Sequence, residues 1–65
     1  MRVDRIKIIV LMAEKDLKIN ELANSTGLTR TTISSVKNGK SCTYDTATKI
    51  ARALNVPVSD LIINE

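Results

Sequence analysis

The segment ELANSTGLTRTTISSVKNG, which ends at Gly39, gathers short hydrogen-bonding side chains in a row that carries little charge. Hydroxyls of this kind donate and accept hydrogen bonds, but they become nucleophiles only beside a base. The chain has no histidine, no P-loop, no glycine-rich nucleotide fingerprint and no Ser or Cys nucleophile with a plausible base partner. With one cysteine and no histidine there is little from which to build a zinc site, so no metal or cofactor is expected. The chemistry on offer is recognition. Such a surface is poor as a core face and well suited to a DNA groove.

The row has to be held on a helix, and the flanking residues supply one. Ala23 is small where a first helix must approach a second. Gly27, four residues later, allows positive φ at a tight turn without steric cost. Thr29 can cap the second helix by accepting a backbone N–H. Ile33 is spaced to pack back onto Leu22 and Ala23. The pattern predicts a helix-turn-helix over about residues 18–37, with helices at about Lys18 to Thr26 and Arg30 to Lys37. Asn38-Gly39 is read as a helix stop, with Gly39 as the left-handed cap. Ile33 and Val36 belong to the core by spacing.

Helical periodicity covers most of the rest. A first helix is expected from about Arg2 to Lys15, with Val3, Ile6, Ile9, Val10 and Ala13 on one stripe that Leu17 continues. Ile8, Leu11 and Met12 widen that stripe, so the helix is read as central and buried on most sides. A subunit contact on part of this face is the alternative. Thr43 can cap a fourth helix bearing Ala47, Ile50, Ala51 and Leu54. Asn55 tolerates the left-handed conformation that ends it, and Pro57 starts a short fifth helix with Val58, Leu61 and Ile62. The expected core is Ile6, Val10, Leu22, Ala23, Ile33, Val36, Ile50, Ala51, Leu54 and Leu61. Cys42 is expected to be an exposed loop thiol without chemistry, and Tyr44 a packing or rim residue.

The chain has 65 residues, enough for one domain over 1–65 with a thin core. Disulfides cannot reinforce it, because Cys42 is the only cysteine. No apolar run approaches the roughly 18 residues of a membrane span, and a lone thiol without an export signal suggests the cytoplasm. Net charge is +3, distributed unevenly. Residues 1–40 carry eight Lys/Arg against four Asp/Glu, or +4, and residues 41–65 carry two against three, or −1. The positive field belongs to the part with the helix-turn-helix, which suits an anionic partner.

Taken in order, ELA at 21–23, TG at 26–27, TRTTIS at 29–34, NGK at 38–40, KIARALNV at 49–56 and VSDLI at 58–62 resemble the phage repressor and Cro type of helix-turn-helix domain, the XRE family. The resemblance covers about Asp4 to Ile62. It implies an all-α, compact, five-helix, lambda-repressor-like domain. It also implies a transcriptional regulator, a repressor of phage or mobile-element type, acting as a dimer on a two-fold symmetric double-stranded DNA operator. The dimer is expected to come from this domain alone. The recognition helix falls at Thr29 to Lys37, with Arg30, Thr31, Ser34 and Ser35 at base-reading positions. Thr29, Asn38 and the backbone amide of Lys40 fall at phosphate-contacting positions, and Lys37 and Lys40 add long-range or phosphate charge. Physical reasons stand beside these assignments. Arginine can chelate guanine bidentately, hydroxyls can donate or accept, and a helix N-terminus suits phosphate. Yet Thr29 is a cap in any case, and Ser34 and Ser35 serve equally well as solvated surface.

The chain departs from the family where the second helix begins. Lys18 stands in place of the usual Thr or Ser cap, and Ile19 stands where a glutamine often holds a phosphate. Lys18 and Asn20 are left as candidates for that contact. The competing reading is a protein-interaction module on the same fold, an anti-repressor or an antitoxin. Exposure of Ile8, Leu11 and Ile19 would favour it.

Overall fold

The computed structural model describes residues 2–63. Four α-helices follow one another: α1 (Arg5–Glu14), α2 (Ile19–Thr26), α3 (Arg30–Lys37) and α4 (Tyr44–Ala53). The expected fifth helix is a single 3-10 turn, Val58–Asp60. Pro57, at φ −63°, leads into it, and the turn ends as Leu61 drops into the core. Among the described residues the helix count is therefore four plus this turn. Among the described residues, no helix is long and apolar enough to cross a membrane.

Each helix starts where a side chain or a neighbouring carboxylate satisfies its free amides. Asp4 accepts from the amides of Ile6 and Lys7 and so sets the start of α1, three residues later than the periodicity suggested. Thr29 and Thr43 cap α3 and α4 through the amides of Thr32 and Thr46. At α2 the cap residue is Lys18, whose side chain has no acceptor. There the Glu21 carboxylate reaches back to the Lys18 amide at 3.0 Å, the half of a capping box that does not depend on the cap side chain.

Three helices end in one closing motif. Asp16, Gly39 and Asn55 take left-handed φ of 53°, 88° and 59°. In each case the next amide returns to a carbonyl in the last turn: Leu17 to Met12, Lys40 to Ser35, and Val56 to Ala51.

α2 packs against α3 and α4, α1 against α3, and the 3-10 turn against α4. The core is Val3, Ile8, Met12, Leu22, Ala23, Ile33, Val36, Ala47, Ile50, Ala51, Leu54 and Leu61. Two expected core residues are on the surface: Ile6 is 58% and Val10 46% exposed. The face of α1 assigned to the core is in fact its outer face. α1 is apolar on both sides, and periodicity alone could not choose between them. Ile8 and Met12, one turn apart, are the residues turned inward, with Leu11 partly covered beside them. The orientation is fixed from outside the helix. Val3 pairs with Ile62 in an isolated antiparallel bridge, the Asp4 amide donates to the Leu61 carbonyl at 2.6 Å, and the Ile63 amide donates to Arg2 at 3.0 Å. Val3 is buried by that bridge, which draws the first turn of α1 into position.

Candidate nucleic-acid interface

The turn between α2 and α3 is built around Gly27, at φ 74° and ψ 8°. The Thr26 hydroxyl donates to the Leu22 carbonyl at 2.8 Å and accepts from the Leu28 amide at 3.2 Å, tying the turn to the helix before it. Leu22, Ala23, Ile33 and Val36 are buried between the two helices, as their spacing requires. α3 is thus held by one face, and its opposite face is left free.

That free face forms one wall of an open concavity of about 520 Å³. Its lining includes Arg30, Thr31, Ser34 and Ser35, all four residues expected at base-reading positions, together with Asn38 and Lys40 beyond the end of α3. Arg30, Thr31, Ser34, Asn38 and Lys40 are exposed and Ser35 is half-buried. The geometry brings a guanidinium, three hydroxyls, an amide and an ammonium around one hollow.

The remaining candidates stand apart from it. Lys18 and Asn20 are exposed at the start of α2, and Lys37 is half-buried at the end of α3. The Thr29 hydroxyl accepts from the Thr32 amide at 3.1 Å and shares a 2.9 Å hydrogen bond with the Thr32 hydroxyl. It is committed to the cap. The donors left at this end of α3 are the amides of its first residues, which have no carbonyl within the helix to bind. The Lys40 amide, expected to hold a phosphate, instead donates to the Ser35 carbonyl at 3.1 Å. Only the Lys40 side chain is left for that contact.

One member of the hollow was not expected. Ile19 lines it from the first turn of α2. From the sequence alone the residue is no more than the loss of a phosphate-binding amide. In the structure its half-buried side chain is an apolar element in a rim of polar groups. The signal lay in the departure itself, because a hydrophobic residue replacing a polar one at an exposed helix start has something apolar to meet.

One other expectation changes here. Cys42 is half-buried and packs against the core, and this burial pushes its thiol above the ordinary value. The thiol is therefore less ionised, and less reactive, than an exposed one. Ile8 is buried and Leu11 and Ile19 are half-buried, so these three do not form the surface patch that an interaction module would need.

A helix pair joined by a glycine turn, with its second helix presenting polar side chains around a hollow, defines a helix-turn-helix domain. The Cro/C1-type HTH DNA-binding domain family matches residues 7–65. The chain belongs to that family, and its partner class is DNA. No curated protein and no solved structure matches it.

Proposed function

We propose that this chain is a sequence-specific transcriptional regulator of double-stranded DNA, a repressor of phage or mobile-element type. In this reading α3 enters the major groove and two copies bind a two-fold symmetric operator. The observation that carries it is the shared hollow, where Arg30, Thr31, Ser34 and Ser35 face the same space as Asn38 and Lys40. A base edge needs the first group and a backbone the second. Arg30, in the first turn of α3, chelates a guanine, and the hydroxyls of Thr31, Ser34 and Ser35 meet neighbouring base edges. Lys40 and Asn38 hold the phosphates beside the end of α3. Lys18, Asn20, Lys37 and the first amides of α3 beyond Thr29 supply the flanking backbone contacts. Ile19 gives the apolar contact in this set, against a thymine methyl group.

Selection of bound sites from random duplex DNA tests the reading. An inverted repeat with half-sites about one turn of B-DNA apart is the expected product. Enrichment of no sequence, with equal affinity for every duplex, would reject specific regulation.

A further inference from the structure

The outward face of α1 is an apolar stripe, with Ile6, Ile9 and Val10 exposed by 58%, 42% and 46% and Ala13 exposed one turn further. At about 100° per residue these four positions fall on one side of the helix, opposite Ile8 and Met12. Ile63, 43% exposed, shares a shallow cavity with Ile6 and extends the patch past the end of α1. Isolated surface aliphatics are ordinary, but a contiguous stripe along a whole helix marks a contact site.

We infer that a second copy of this chain covers the stripe, with the two α1 helices packed antiparallel about a two-fold axis beside Ile9 and Val10. The inference deepens the dimeric part of the reading above and rests on it. The flanking charges select this occupant. Lys7 and Glu14 lie on the same flank of the stripe, about two turns apart, and neither is ion-paired within the described residues. In a symmetric antiparallel pair, the same flank of both helices lies on the same side of the contact. With the axis between residues 9 and 10, Lys7 comes within about 3 Å, measured along the helix, of the level of the partner copy's Glu14. Symmetry makes the reciprocal pair. Arg5 lies on the other flank near the end of α1, so the two copies' Arg5 side chains are separated by most of the helix length. The surface is self-complementary in shape, apolar against apolar, and in charge, as a two-fold contact requires.

The test is sedimentation equilibrium of the whole chain up to millimolar concentration, with circular dichroism to confirm the fold of each variant. The wild type is expected to dimerise reversibly. Val10→Glu should weaken the dimer by about a hundredfold, by placing charge at the centre of the contact. Lys7→Glu should weaken it by about tenfold, through two lost pairs and two repulsions. Adding Glu14→Lys to Lys7→Glu should restore it to within about threefold, a rescue that only cross-copy pairing explains. A chain that stays monomeric at every concentration overturns the inference. So does a dimer indifferent to Val10→Glu, or a double variant as weak as the single one. Salt-dependent binding to a duplex is measured separately. Binding without this dimer removes the inference and leaves the DNA reading, and the dimer without DNA binding does the reverse.

Discussion

The amide of Lys40 donates to the carbonyl of Ser35, two residues of one hollow joined by the bond that closes α3. The loop carrying the Lys40 ammonium is thereby fixed to the helix that carries Arg30. Whatever surface Arg30 approaches, Lys40 approaches beside it, from a position past the end of the helix.

That arrangement separates their roles. Arg30→Ala should weaken binding to a selected site by about 1–3 kcal/mol and relax preference at one base position. Lys40→Ala should weaken all duplexes nearly equally and make the logarithmic salt dependence shallower by about one phosphate contact. Salt titrations on a selected and a scrambled duplex measure both. If the two variants lose affinity equally on both duplexes, Arg30 is not the reader.

Ile19 calls for a probe of one methyl group. Replacing each thymine of the selected site by uracil removes only the C5-methyl. At one position this should cost about 0.8 kcal/mol, the value of a buried carbon of that size. In Ile19→Ala the same replacement should cost little. Sensitivity at that position unchanged by Ile19→Ala would assign the methyl contact to another residue.

The two faces of α1 predict opposite stabilities. Ile8→Ala and Leu54→Ala, at fully buried positions, should each cost about 2–5 kcal/mol. Ile9→Ala should cost much less in the monomer, since its side chain is already 42% exposed. Urea unfolding at low protein concentration compares them. An Ile9 variant as damaged as the Ile8 one would mean that α1 is rotated.

At Gly27 the penalty of a larger residue is conformational. A Cβ there would meet nothing within 4 Å, yet φ is +74°. Gly27→Ala should therefore cost about 1–2 kcal/mol, and Gly27→Asn less, since asparagine tolerates the left-handed region. Gly27→Val should cost the most and disturb α3. Thermal unfolding of the three, ranked Asn, Ala, Val in increasing damage, tests strain against crowding.

The Thr48 hydroxyl is buried without a hydrogen-bond partner. Thr48→Val keeps the shape and removes the group that burial penalises. It should raise stability by about 1 kcal/mol. A loss of stability would show that the hydroxyl is satisfied in solution.

What could be read from the sequence was local. α3 has the expected bounds, Arg30–Lys37, and Thr29, Thr43, Gly39 and Asn55 cap as expected, because a cap acts within one turn of itself. Asp4 and Asp16 were missed for different reasons. The first stands inside an apolar pattern that reads as helical throughout. The second adopts a left-handed φ that any Asp-Leu pair conceals. The rotation of α1 is tertiary, since Ile8 and Ile9 are the same residue type and contacts outside the helix, the packing on α3 and the pairing of Val3 with Ile62, decide which turns inward. One residue a side leaves no alternating pattern by which that bridge could be foreseen. At the candidate site, the helix register exposed the row from Arg30 to Ser35, whereas Ile19 entered through the approach of α2, which no spacing within α3 encodes.

The bridge between Arg2–Asp4 and Leu61–Ile63 also gives the domain a clasp. It joins segments from opposite ends of the described chain, so its closure carries the largest loop entropy in the fold and is expected late, after the neighbouring α2 and α3 have docked. Until then α1 lacks the anchor that selects its inward face. Both of its faces are apolar, so either could seat during that interval. The order of events, as much as the final energy, then decides which isoleucines stay outside. The Asp4 amide reports on this clasp, and its hydrogen exchange should follow the opening of the whole molecule rather than the fraying of an end.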